Sequence, residues 1–528
     1  MSMKLSRRQL LRCVLAPAGL ALAGCATRRA SGTSRPNILF ALADDQSWPH
    51  AGAYRDIVVR TPVFDRIASE GVLFAHSFSA SPSCTPSRSA ILTGRQIWQV
   101  EEAGVLYGTI PKKYPLFTHL LENAGYWVGY TGKGWGPGDW GARGLDRNPT
   151  GNQYNRRLHS GRLPDGIDRR DYAANFEDFL QERPVGAPFC FWFGSTEPHR
   201  PYAGGAGIQA GKRLNEVILP PFLPDSETVR SDMLDYYSEI EWFDAQLGRI
   251  IEILSACREL DNTLIVVTSD NGMPFPRAKC TLYDWGVHMP LAIRWGNRVR
   301  GGRVIDDFVS HIDFAPTFLE AAGIAPPPGI AGRSLLPLLD SGASGIVDPR
   351  RDRAYTALER HTWCRPDGAT YPMRALRTRN SLYIRNFTPD RWPTGGPDFV
   401  SSNKTFHGDV DGGPTKDFML APATAKRYAR QFQLCFGKRP AEELYDVARD
   451  PSQIQNLAED PAYGNELRRC RSELEAYLRQ TGDPRVEGRD PWQGYVYYQT
   501  VGFGATFNRA LSHEQRRQAL QRAAHKPE

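Results

Sequence analysis

Cys84-Thr85-Pro86-Ser87-Arg88, continuing as Ser89-Ala90-Ile91-Leu92-Thr93-Gly94-Arg95, sets a thiol one helical turn from a permanent cation. Pro86 suits a first helical position, Ser87 to Thr93 has helical spacing, and Gly94 suits a C-cap. This predicts a helix with Cys84 just ahead of its N-terminus, where unpaired N–H groups and the macrodipole favour anions. Arg88 can reach back towards the same point. A bare Cys-x-x-x-Arg says little, since most such pairs are a buried thiol beside a surface arginine; the complete run is far more specific.

A second chemical signal is split along the chain. Asp44, Asp45, Asp270 and Asn271 stand at the ends of two short apolar runs. Three carboxylates and an amide are hard oxygen donors, which suit Ca²⁺ or Mg²⁺ better than Zn²⁺. Gathered at one point, the carboxylates repel one another unless a cation joins them.

The elements that must position these groups follow one pattern. Asn37 to Ala43 ends in Asp44-Asp45, Trp127 to Tyr130 leads to Lys133, Phe189 to Phe193 leads to Glu197-Pro198-His199-Arg200, and Leu264 to Thr268 leads to Asp270-Asn271-Gly272. Such runs, separated by helical patterns at 62–70, 115–124 and 233–255, read as strands buried on both faces of a mostly parallel α/β sheet. Ligands of such sheets bind beyond the carboxyl ends of the strands, so four polar strand ends predict one shared site. The polar stretch 141–170 reads as a loop over that site. The Gly/Ser/Pro-rich run 341–350 marks the domain boundary. Beyond it, β-like residues 376–387 and a charged helix over 461–479 suit a smaller α+β domain. This gives a catalytic domain over 36–345 and a smaller C-terminal domain with a tail over 346–528.

Composition bounds the rest. With 528 residues, 41% hydrophobic and 23% charged, the chain has ample core. Residues 1–24 read as a targeting segment: Lys4, Arg7, Arg8 and Arg12 form a basic region and Cys13 to Ala23 a short apolar one. Ser6 to Leu11 is similar to a twin-arginine export motif, and Leu22-Ala23-Gly24-Cys25 to a bacterial lipobox whose cysteine is lipidated. Residues 25–35 then form a tether. These features predict a bacterial, exported periplasmic protein, held at the outer membrane through lipid on Cys25 alone. Without the four cations of the leader the net charge of +7 falls to +3, too small to argue for nucleic acid. The remaining cysteines are scattered, with no paired spacing for zinc and room for only one or two disulfides.

The run from Cys84 to Arg95 resembles the signature of the type I sulfatases, in which the cysteine is oxidised to formylglycine after translation. A tyrosine-phosphatase loop is excluded, because its arginine would fall at Ala90. Ala43-Asp44-Asp45 and Thr268 to Gly272 resemble that family's two metal-binding strands. Asp270 to Pro276 and Tyr371-Pro372-Met373-Arg374 are most similar to its heparan N-sulfatases (sulfamidases), with support from Glu197 to Arg200 and Glu443 to Asp446. The resemblance implies an alkaline-phosphatase-like fold. It also implies Ca²⁺, with Mg²⁺ second, on Asp44, Asp45, Asp270, Asn271 and modified Cys84. By the same resemblance Arg88 stabilises the formylglycine hydrate, Lys133 and Lys279 neutralise sulfuryl oxygens, and His199 protonates the leaving atom. His361 and Arg374 become sugar or sulfate contacts. The implied activity is sulfate hydrolysis from N-sulfoglucosamine of heparan-type saccharides, after maturation of Cys84 by a formylglycine-generating enzyme. Alternatives are an O-sulfatase or phosphonate/phosphodiester hydrolase on the same fold, or a non-catalytic glycan-binding lipoprotein.

One departure stands out. The family usually carries His two residues after the lysine, where this chain has Trp135. Either another group takes the proton, or activity is reduced, or the indole packs on a sugar. Trp48, Trp140 and Trp363 are further candidates for sugar stacking, whereas His50, His119, His288 and His311 read as structural.

Overall fold

A computed structural model describes residues 35–402 and 404–499. The export segment 1–24, Cys25, the tether up to position 34 and the end of the tail lie outside the described residues. Among those described, no helix is long and apolar enough to cross a membrane.

Nine strands build the larger sheet: β1 (Asn37–Ala43), β2 (Val72–Phe78), β3 (Trp127–Gly132), β4 (Asn152–Gln153), β5 (Phe189–Gly194), β6 (Thr263–Ser269), β7 (His288–Met289), β8 (Leu291–Arg294) and β9 (Arg303–Ser310). Their order is β4-β3-β5-β1-β6-β8-β2-β7, with β9 also paired to β2. The run from β4 to β6 is parallel, and β8 enters antiparallel between β6 and β2. Every residue of β1, β5 and β6 is buried, as expected of strands covered on both faces by helices. Apolar side chains of alternate parity feed two separate cores: Ile38, Phe40 and Leu42 on one face, Leu39, Ala41 and Ala43 on the other.

Register explains why the polar strand ends meet. Ala43 pairs with Ser269, Leu42 with Gly194, and Gly132 with Gly194. Asp44, Asp270, Ser195 and Lys133, each the next residue along, therefore leave the sheet at one edge.

Helices α1 (Pro62–Glu70), α2 (Cys84–Thr93), α3 (Phe117–Asn123), α4 (Tyr172–Glu182), α5 (Glu227–Ala256) and α6 (Phe314–Ala321) flank this sheet. The long α5 starts six residues earlier than its apolar periodicity predicts, because Ser226 caps it by accepting the Val229 N–H at 3.3 Å. α2 also starts earlier than predicted: Cys84 is its first residue and Ser83 its N-cap. Gly94 ends α2 in the left-handed region at φ 64°, where its N–H reaches Ala90 O.

A second, antiparallel sheet joins β10 (Arg353–Leu358), β11 (Met373–Thr378), β12 (Ser381–Asn386) and β13 (Glu442–Asp446), with α7 (Gly464–Gln480) packed nearby. The β-like stretch expected at 376–387 spans the hairpin of β11 and β12, bent at Arg379–Asn380. The stretch 141–170 is not a plain loop: it carries β4 and a bridge between Leu158 and Arg170, and Arg170 bonds Gly132 O at the end of β3. The seven described cysteines are all free thiols, so the disulfides entertained from composition are absent among the described residues.

Candidate active site

Helix α2 points its N-terminus at the common strand edge. Cys84, 2% exposed, places Sγ 3.5 Å from Asp44 Oδ1 and 4.0 Å from Asp45 Oδ1. Arg88 is fully buried one turn on. Its guanidinium donates to Asp270 Oδ2 (2.8 Å), to the carbonyls of Lys133 and Gly134 (both 2.8 Å) and to Asp44 Oδ1 (3.4 Å). The planar fork thus ties three strand ends to the Cys84 helix, a task for which a lysine has too few donors.

The cations close round the acids. Lys133 Nζ lies 2.5 Å from Asp44 Oδ2, and Lys279 Nζ lies 2.7 Å from Asp45 Oδ2 and 2.9 Å from Asp411 Oδ2. Burial opposes the charge on Lys133, but Asp44 and Cys84 outweigh it and hold the ammonium above its usual range. Burial likewise opposes ionisation of Asp44, and Lys133 and Arg88 reverse this, so its carboxyl titrates well below normal. Asp270 goes the other way, pushed up to about 6 by burial and by the charge of Asp44. Burial, with Asp44, raises the Cys84 thiol well above its ordinary pKa. An unmodified Cys84 is therefore neutral and a poor nucleophile.

The residues fit a hard cation. Ligand atoms of Asp44, Asp45 and Cys84 all lie within 4.8 Å of one another. Asn271 Oδ1 is buried without a hydrogen-bond partner, while its Nδ2 donates to Asp45 Oδ1 at 2.6 Å. An orphaned amide oxygen beside crowded carboxylates is the donor a divalent cation satisfies.

His199 stands at the open side, with Nε2 3.7 Å from Asp45 Oδ2. Its Nδ1 lies 2.7 Å from Arg200 O, an acceptor, so Nδ1 carries the hydrogen and Nε2 is left to move a proton. Arg200 anchors this turn by a bidentate pair with Asp232 of α5, both contacts at 2.7 Å.

Two expectations need correction. Arg374 does not reach the pocket: it is fully buried, paired with Glu359 at 2.6 Å and Asp483 at 2.5 Å, with rings of Trp98 and Trp492 close by. His361 is buried as well, as Cys84 and Lys279 are, and its Nδ1 meets Ser83 Oγ at 2.8 Å beside Cys84. Trp135 and Trp363 are too buried to be sugar platforms, and Trp48 and Trp140 are half-buried. Trp135 is buried, its Nε1 donating to Ser89 Oγ at 2.8 Å, Trp48 stacks on His288 at 4.3 Å, Trp363 is buried, and Trp140 packs on the main core. Among the histidines read as structural, His50, His288 and His311 are buried, and His119 is half-buried on α3.

Asp411 was not legible from the sequence. It follows a stretch without periodicity, and only the fold brings it from beyond β12 onto Lys279.

Comparison with known proteins now has a geometry to explain. The sulfatase family profile matches residues 36–324. This chain belongs to the sulfatase family. Among its relatives, an ulvan-active sulfatase of Formosa agariphila is 27% identical over 85% of this chain and 76% of its own length. Human N-sulphoglucosamine sulphohydrolase is 28% identical over 86% of this chain and 92% of its own length. A protein solved in complex with its substrate D-glucosamine-2-N,6-O-disulfate superposes with a TM-score of 0.62 at 21% identity, covering 87% of this sulfatase and 100% of that chain. The phosphonate monoester hydrolase of Agrobacterium radiobacter superposes at 0.58 and 20% identity, covering 86% and 97%. The fold is thus the alkaline-phosphatase-like one that the sulfatase resemblance implied, and the chain is a hydrolase.

Proposed function

We propose that this sulfatase removes sulfate from sulfated saccharides, with N-sulfoglucosamine of heparan-type chains as its leading substrate. The observation that carries the reading is Cys84 at the start of α2, against Asp44 and Asp45 and beside two lysines. The human relative named for N-sulfoglucosamine supports the choice of sugar.

Oxidation of Cys84 to formylglycine, whose hydrate bears two hydroxyls on one carbon, supplies a nucleophile and a route for sulfate release without water attacking sulfur. Asp44, Asp45, Asp270 and Asn271 would hold the cation, Ca²⁺ before Mg²⁺. Bound there, such an ion favours the deprotonated form of a neighbouring hydroxyl. Lys133 and Lys279 bind the sulfuryl oxygens and balance their charge as the bond to sulfur breaks. His199, with Nδ1 fixed on Arg200 O, gives a proton from Nε2 to the leaving nitrogen or oxygen. Export, lipid on Cys25 and Cys84 maturation by a formylglycine-generating enzyme belong to the same proposal and rest on the sequence motifs.

A second reading, hydrolysis of a phosphonate or phosphodiester, is favoured by the likeness to a phosphonate monoester hydrolase. Membership of a hydrolase family sets aside the non-catalytic lipoprotein. Mass spectrometry of the Cys84 peptide from the native host should find an aldehyde in place of the thiol. N-sulfated glucosamine should release sulfate faster than 6-O- and 2-O-sulfated sugars, while matched phosphonates release little. An intact thiol in active protein, or preferential phosphonate turnover, overturns the reading.

A further inference from the structure

Tyr107 follows the short helical turn Glu101–Gly104 and takes φ 53°, a left-handed conformation uncommon for an aromatic residue. Strain of this kind persists only where the surroundings over-determine it, and it gathers at ligand contacts.

The surroundings do so here. The Tyr107 N–H donates to Pro137 O at 3.1 Å, the same carbonyl that accepts the hydroxyl of Thr85 next to Cys84. The Tyr107 carbonyl accepts the Tyr498 N–H at 2.7 Å, and its ring meets Tyr497 edge-on at 4.9 Å. Just before it, Leu106 N–H reaches Arg360 O at 3.2 Å, adjacent to the His361 that holds Ser83. Segments on both sides of Cys84 in the fold therefore pin this one residue.

Its phenol is half-buried, and its hydroxyl has no hydrogen-bond partner among the described residues. The charges acting on it are those of Lys133, Cys84, Lys279 and Asp411, the groups of the active site itself. Burial raises its pKa, so it is a neutral donor over the working range. Lys133 and Lys279 already serve the anionic side beside the buried Cys84, and a half-buried neutral donor whose backbone shares Pro137 O with Thr85 suits a sugar oxygen.

Resting on the reading of this pocket as a sulfated-saccharide site, we propose that Tyr107 is a substrate-contacting specificity residue whose hydroxyl donates to the sugar that bears the sulfate. The C-terminal segment Tyr495–Gln499 then sets specificity at a distance, because Tyr498 holds the Tyr107 backbone in its strained form and Tyr497 holds its ring.

Tyr107→Phe keeps the ring on Tyr497 and removes only the hydroxyl. We expect kcat/KM on glucosamine 2-N-sulfate or 6-O-sulfate, whichever the wild type prefers, to fall roughly tenfold, the worth of one hydrogen bond. Turnover of 4-nitrophenyl sulfate, which has no sugar, should stay within about twofold, and the unfolding temperature should not move. Equal losses on both substrates, or no loss on the sugar, overturn the proposal. Calorimetric titration of the same sugars into Cys84→Ala, with and without Tyr107→Phe, tests the contact independently of turnover. A roughly tenfold weaker Kd in the double variant supports the contact even if the wild type releases no sulfate, an outcome that would sink only the proposed reaction. Equal affinities, or no binding to either protein, sink the contact.

Discussion

Asn271 shows how one side chain can report on an absent partner. Its Oδ1 is sealed from water with no donor to accept from, its Nδ2 holds the Asp45 carboxylate at 2.6 Å, and neighbouring Asp270 is driven up to about 6 by burial and then by the charge of Asp44. Adding Ca²⁺ to chelator-treated protein should therefore raise the unfolding temperature, by an amount equivalent to about 2.7 kcal/mol at a hundredfold excess over Kd. Asn271→Ala should shrink that shift, because it removes one ligand oxygen. Calorimetry at matched Ca²⁺ concentrations measures both, and an undiminished shift in the variant would place the ion elsewhere. The residue types were readable in the sequence as hard donors. Which of them is strained was not, since that depends on which neighbours share the cluster.

Helix α5 illustrates a cost carried by an element. Its Glu239 is buried with Oε2 unpartnered and is pushed up to about 9 by burial, then by Glu197 and Asp235. The folded chain keeps this proton up to about pH 9, whereas the unfolded chain releases it near 4.5. Between those values unfolding releases a proton, so this group makes stability fall as pH rises. Glu239→Gln is neutral in both states and should flatten the decline of unfolding temperature between pH 5 and pH 9. A constant offset between variant and wild type across that range would refute the assignment. Apolar periodicity located most of α5 and missed its first six residues, because Ser226 and Glu227 act through capping rather than through burial. The four strands read from the sequence, β1, β3, β5 and β6, were legible almost to the residue, since burial on both faces forces unbroken apolar runs, whereas β2, β8 and β9 were not read.

The two sheets share their cores. Phe78, Tyr283 and Phe308 pack with Leu358, Met373 and Ile384 in one cluster, and Arg377 of β11 grips Asp284 at 2.9 Å. Arg374 works at this scale. It joins Glu359 beyond β10 to Asp483 beyond α7 and lies against Trp98 from the segment after α2. Arg374→Ala leaves buried Asp483 without its cation and Glu359 with Arg485 alone, and should lower the unfolding free energy by roughly 3–5 kcal/mol. Denaturant titration reads that loss. A raised KM for sulfated sugar with stability unchanged would instead restore the substrate contact that its sequence motif implied. The motif was visible, but whether an arginine faces a ligand or a pair of internal acids depends on chain segments over a hundred residues away.

From the sequence alone came the nucleophile helix, the four polar strand ends and the hard-donor set, because each is written in local spacing and side-chain chemistry. Tertiary structure decided the rest: the register that pairs Ala43 with Ser269 and Leu42 with Gly194, the arrival of Asp411 on Lys279, the turning inward of Trp135 and Arg374, and the strained backbone of Tyr107. Those outcomes depend on the close approach of residues far apart in the chain, where burial and unpaired charge, not local pattern, set the energy.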